Sequence, residues 1–550
     1  MTVRAIARLL WSAAVLFPAL ACAADPPPLL RAADFRHYVD ALNRGDSEDV
    51  NGGIPNAQAW EWMKSNVPYL ACPDSDLELT YYYRWWAYRK HIAKTGAGYV
   101  ITEFLRPVKH ATDYNAISCA LGLHIAEGRW LHDARYLDAY VDFWLRSGEG
   151  GGLQRHLHQF SGWLADALYD RWLADGNRPR LLAQFDALRK DYAAWEQERL
   201  TPSGLFWQRD VSDGMEESIS GGRRVKNLRP TINSYMYANA RALAAIAGMS
   251  GDTAARADYA RKAAALRKLT QERLWNPKDQ FFETVLEDGK SAGVREQIGY
   301  TPWYFHLPEP GKGFEAAWKQ LMDPQGFYAP YGPTTAERRH PGFAIAEKGD
   351  DCQWNGPSWP FATSITLRAL ANVLNGVAQN SVSAKDYRQT LDIYTRSQRL
   401  KLDNGQVVPW IDENLTPLTG VWWARELKLR KKTYYGRGDH YNHSSYADLV
   451  ITGLVGLRPR ADDVVEVNPL APPEWDWFAL DRVPYHGREL AILWDRTGEH
   501  FQRGKGLRIF AGGREIAHAA TLTRTNGRLP LPRSRLRSEP RALASGFPIR

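Results

Sequence analysis

From about Leu77 to Leu454, apolar residues recur every three or four positions, the spacing of helices that bury one face. The spacing predicts helices over 77–94, 115–128, 133–147, 156–174, 180–199, 233–248, 252–275, 357–374 and 384–400, with Gly, Asn or Pro between them. Strand-like runs are scarce in this stretch, and no fixed-period repeat marks a solenoid. The expected fold is mainly α: an (α/α)6 toroid of about twelve helices, paired as six hairpins, with a small C-terminal β domain. That β domain is read from alternating segments at 478–483, 489–495 and 506–511, the last followed by a Gly512-Gly513 turn. Between the helices, the segments 203–231, 299–310, 323–360 and 401–445 are long and rich in Trp, Tyr, His, Arg and acids. Long ordered loops in a compact domain usually carry function.

The chain has 550 residues, too many for one ordinary core. Arg4 and Arg8, an apolar run to Leu20 and then Ala21-Cys22-Ala23 read as a secretory signal peptide. That run is too short to span a bilayer and no later segment is longer, so a periplasmic or secreted protein without a membrane span is expected. Cys22 leaves a lipoprotein reading open. The domain map is then a signal peptide at 1–23, a lead-in at 24–75, a helical domain at 76–460, a small β-sandwich-like domain at 461–532 and a disordered basic tail at 533–550. Without the signal, Cys72, Cys119 and Cys352 remain; three cysteines make no disulfide framework and read as small buried apolar side chains. No C-x-x-C or H-E-x-x-H spacing occurs, and neither metal nor cofactor is expected. A net charge of +8 over this length argues against a nucleic-acid partner. Trp is frequent, at 22 residues; its flat apolar face and single N–H suit stacking on sugars as well as large helical cores.

Two aromatic loops gather acids. Segment 204–218 holds Asp210, Asp213, Glu216 and Glu217 near Phe206 and Trp207, and segment 409–423 holds Asp412 and Glu413 among Trp410, Trp422 and Trp423. Glycosidic cleavage needs one protonated carboxyl to donate to the leaving oxygen and one carboxylate to attack or to activate water. Aromatic walls desolvate a carboxyl and raise its pKa, so such loops supply that asymmetry. Acids in loops are more often solvated or capping, and Asp210 and Asp213 also fit turn caps. A third segment, Trp354-Asn355-Gly356-Pro357-Ser358-Trp359-Pro360, sets two Trp and an amide just ahead of a helix.

This third segment resembles the W-x-G-P-x-W-P signature of the helical-toroid glycosidases. That clan includes the α-glucosidases of glycoside hydrolase family 63, the mannosylglycerate hydrolases and, more distantly, the trehalases. Glu413-Asn414-Leu415-Thr416-Pro417-Leu418-Thr419-Gly420 resembles the clan's E-x-Y-x-P-x-T-G segment, whose Glu is the general base. Asp213-Gly214-Met215-Glu216-Glu217-Ser218 resembles its S-G-M-D-N-S segment, whose Asp is the general acid. The three follow the clan's order, and the resemblance spans roughly residues 75–455. Glu216 stands where Asp is usual and Leu415 where Tyr is usual, which suggests a divergent branch.

The resemblance implies an inverting, exo-acting glycoside hydrolase that works on an oligosaccharide or glycoside without a cofactor. Glu216 would be the acid, with Asp213 as the alternative, and Glu413 the base. Trp354, Asn355 and Trp359 would wall the sugar. By their places in the loops, Trp207, Glu103, Arg229, Tyr300, Trp303, Tyr331 and His440 are further substrate-binding candidates, each also open to a structural role. Three other readings stay open: a glycan-binding protein that has lost its acid, a phosphorylase on the same toroid, and a lyase using His156, His158, His440 or Tyr441.

Overall fold

The computed structural model describes residues 29–345 and 352–530. The expected signal peptide, the basic tail and residues 349–351 fall outside these. Six helical segments pack one on the next in chain order: Leu121–Gly128, Leu164–Asp175, Pro230–Ser250, Thr301–Tyr304, Pro360–Gly376 and Ala447–Leu449, the last continued by a π turn over Val450–Leu454. The last returns to the first, which closes the ring. Against its outside lie Ser75–Lys90, Arg135–Arg146, Phe185–Arg199, Thr253–Arg273 and Ala384–Ser397, with the 3-10 segment Phe314–Gln320 beside the short helix at 301–304. The fold is the (α/α)6 toroid.

Burial separates the two layers. Every residue of Leu121–Gly128 is buried, because an inner helix has neighbours on all sides. The outer helix Thr253–Arg273 buries only a stripe of Ala255, Tyr259, Ala263, Leu266 and Thr270. Ser75–Lys90 is an outer helix, yet Thr80 to Lys90 are buried throughout. The lead-in explains this, since its helices Arg36–Gly45 and Asn56–Asn66 cover the exposed side.

The lead-in also reaches the C-terminal sheets. Its strand Tyr69–Ala71 pairs with Trp477–Tyr485 at the edge of a five-stranded antiparallel sheet that continues through Arg488–Asp495, Gly506–Ala511 and Arg514–Ala519. Gly512 and Gly513, at φ 55° and 75°, make the turn between the last two strands. Leu457–Arg458, Val464–Val467 and Thr525–Arg528 form a second sheet.

Several helix boundaries differ from the periodicity. The helix expected from 115 starts at Leu121, because Tyr114 and Asn115 take φ 58° and 60° and turn the chain. The one expected over 156–174 starts at Leu164, and that over 180–199 breaks at Gln184. Short hairpins pin the bases of two long loops: Trp207–Gln208 with Asn227–Leu228, and Arg399–Lys401 with Val407–Pro409. No helix among the described residues is long and apolar enough to cross a membrane.

Candidate active site

Three carboxyls, from Glu103, Glu216 and Glu413, line one cavity of about 410 Å³. Phe104, Phe160, Trp354, Trp359, Phe361 and Tyr441 supply aromatic walls.

The loop that carries Glu216 is tied by Asp210, whose carboxylate accepts the Val211 N–H at 2.7 Å and the Gly222 N–H at 3.0 Å. Gly214 has φ 71°, and a Cβ there would stand 2.7 Å from Cys119 Sγ. Only glycine lets the loop lie against that wall. Glu216 follows as a half-buried side chain, and burial pushes its carboxyl up to about 7.

The loop that carries Glu413 is joined to the Trp354–Trp359 segment by two backbone hydrogen bonds. Ser358 N–H donates to Leu415 O at 2.9 Å, and Leu415 N–H donates to Ser358 O at 3.0 Å. Leu415 is buried, so the position where the clan has Tyr packs here as core. The Glu413 oxygens lie 3.2 Å from Lys428 Nζ and 3.2 Å from Arg437 Nη2. Two cations thus complement a carboxylate at this point. A Cβ on Gly438 would stand 1.9 Å from Asp412 Oδ1, so glycine is what lets the Arg437 loop close on the Glu413 loop.

Glu103 enters from the turn after the strand Gly98–Ile101. Tyr441 donates its hydroxyl to Glu103 Oε1, and burial pushes the Glu103 carboxyl up to about 8, with the charge of Glu413 adding to the shift. The Trp354 and Trp359 rings stack with centroids 4.6 Å apart and planes at 17°, and Trp359 Nε1–H donates to Gln353 O at 2.7 Å.

Other candidates lie elsewhere. Asp213 sits behind the cavity wall, fully buried. It accepts from Ser161 Oγ at 2.6 Å, from Arg229 Nε at 2.6 Å and from the Thr231 hydroxyl. This network makes Asp213 and Arg229 a buried ion pair and leaves neither on the cavity. Asp213→Asn would leave the Arg229 charge without its partner and is expected to cost about 3–5 kcal/mol of stability. Urea unfolding checks this, and a loss below about 1 kcal/mol, as for an exposed pair, would contradict it.

Tyr300 and Trp303 are core residues, stacked and edged against Trp318 at 4.4 and 5.5 Å. The Trp207 ring lies under Arg199 and Lys226, away from the cavity. Tyr331 covers Gly420 on the outside of the Glu413 loop, where a Cβ would stand 2.4 Å from its ring. Asn355 lines an adjoining recess, and Arg223 borders both spaces. His440 faces a different cavity. Of the histidines considered for proton abstraction, His158 is held between Asp191 and Glu198 at 2.8 and 2.9 Å. His110, Cys119, Phe160, Lys428 and Arg437 line or brace the site without any sequence motif to mark them.

The sequence profile of the mannosylglycerate hydrolase MGH1-like glycoside hydrolase domain matches residues 113–444, which include Glu216 and Glu413. The chain belongs to this family. The profile of the glycosyl hydrolase family 65 C-terminal domain matches residues 457–518 of the family member's sheet region. A solved structure named Sialidase is 47% identical, with a TM-score of 0.86 over 90% of this chain and 45% of its own. The chain therefore spans about half the length of that relative. The family 78 rhamnosidase of Bacillus sp. GL1 is 12% identical, with a TM-score of 0.52 over 81% of this chain and 41% of its own, a likeness of fold.

Proposed function

We propose that the chain is a glycoside hydrolase that inverts the anomeric centre and releases terminal sugars. The observation that carries this reading is one aromatic cavity lined by two carboxyls in opposite settings: Glu216, raised by burial, and Glu413, faced by two cations. Glu216 holds its proton near neutral pH and delivers it to the leaving oxygen. Glu413 takes a proton from the water that attacks the opposite face of the sugar. Trp354 and Trp359 supply an apolar platform for the ring, and Glu103 a polar group beside it. A cavity of about 410 Å³ lies at the small end of ligand pockets, which suits a chain terminus. Paired carboxylates need no cofactor. Arg4, Arg8 and the apolar run to Leu20, read as a signal peptide, support a periplasmic or secreted enzyme.

The test is turnover by purified residues 24–550 of aryl glycosides and plant or bacterial oligosaccharides, with the first-formed anomer followed by NMR. Release with inverted configuration is expected. Retained configuration would overturn the mechanism, and release of internal fragments the terminal action.

A further inference from the structure

A second cavity backs onto the first. It measures about 490 Å³ and lies between the helices Arg36–Gly45 and Ser75–Lys90, the hairpin Arg399–Lys401/Val407–Pro409 and the loop before Tyr441. Two stretches of chain form the partition. Glu103 and Phe104 face the catalytic cavity, while the next residues, Leu105 and Arg106, face the second. Arg437 and Tyr441 face the first, while Gly436, Asp439 and His440 face the second. At both places successive residues of one stretch face opposite cavities.

The floor of the second cavity is aromatic. The His440 ring lies 4.5 Å from Trp410 and 5.2 Å from Trp86, and Tyr83 OH is 2.9 Å from His440 Nδ1. Trp410 is the tryptophan left partly open there. Asp46 binds Lys90 and accepts from Asn56 Nδ2 at 2.7 Å, which fixes a carboxylate at the edge of this floor. The fixed charges balance: Arg44, Lys90 and Arg106 stand against Asp46, Asp49 and Asp439. An anionic ligand would call for an excess of cations. A neutral ring with many hydroxyls meets what is present, an aromatic floor with both donors and acceptors around it.

We propose that this second cavity is a binding site for a neutral sugar unit, separate from the catalytic cavity and braced against its wall. The choice of a sugar rests on the glycosidase reading. An occupant touching Asp439 and His440 would steady the loop that holds Arg437 against Glu413.

Crystals of the Glu413→Gln protein soaked separately in concentrated glucose, galactose, mannose, rhamnose, xylose and arabinose test this. At least one sugar is expected in the second cavity, on Trp410 and hydrogen-bonded to Asp46 or Asp439. Ser47→Trp, in the loop after Arg36–Gly45, and Val407→Trp, on the hairpin, both at exposed rim positions, should fill the cavity and weaken binding of that sugar at least tenfold in solution. Solvent alone in all six soaks overturns the proposal, as does unchanged affinity in both filled variants. Sugar in the catalytic cavity alone also overturns it while leaving the glycosidase reading standing. Sugar in the second cavity alone supports it and counts against that reading.

Discussion

Replacing Glu413 by glutamine is expected to lower kcat about a thousand-fold, or about 4 kcal/mol, with little change in KM. The substitution keeps the size of the side chain and removes the oxygen that takes the proton from water. The loss should be the same for aryl glycosides and for oligosaccharides, because water attacks in both and the leaving group is not what Glu413 serves. Steady-state kinetics on a good and a poor leaving group check this. A loss confined to KM would make Glu413 a binding residue. Glutamine also removes the charge that Lys428 and Arg437 each meet at 3.2 Å. The stability of the variant should therefore be measured beside its rate, and a folded, inactive protein is the expected result.

Glu216→Gln should act differently. An acid matters most when the departing oxygen is a poor leaving group, so oligosaccharide turnover should fall about a hundred- to a thousand-fold and that of an acidic phenol's glycoside far less. The pH dependence gives a second sign. The acid works in its protonated form, and burial pushes the Glu216 carboxyl up to about 7. The wild-type rate should therefore fall tenfold per unit above that value, and this alkaline limb should vanish in the variant. A limb that survives near pH 8, with the rate retained, would move the acid to Glu103, whose carboxyl lies at about 8.

Much of this fold was legible in the chain. The three-and-four spacing located the helices because an outer helix such as Thr253–Arg273 buries one stripe and shows water the rest. Boundaries were less legible, since Tyr114 and Asn115 in left-handed backbone put off the start of a helix to Leu121 without any Gly or Pro to announce it. The covering of Ser75–Lys90 by the lead-in, and the lead-in's strand in the C-terminal sheet, depend on partners far away in the chain.

The site divides in the same way. Residue types and motif order in the chain pointed to Glu216 with Asp213 as its alternative, and to Glu413, Trp354 and Trp359, because proton transfer and ring stacking restrict the side chains that can serve. Which acid faces the cavity was decided only by tertiary structure. Asp213 and Glu216 are three residues apart, yet one meets Arg229 behind the wall and the other lines the cavity. The aromatic candidates Tyr300 and Trp303 were open in sequence to binding or to a structural role, and their packing on Trp318 places them in the core. Lys428 and Arg437 reach Glu413 from 15 and 24 residues further along the chain. Composition, periodicity and motif order are properties of neighbours along the chain, and they gave its main helices, its family and a short set of candidate acids. Burial, charge pairing and the sharing of a wall between two cavities are properties of neighbours in space, and only the closed toroid set them.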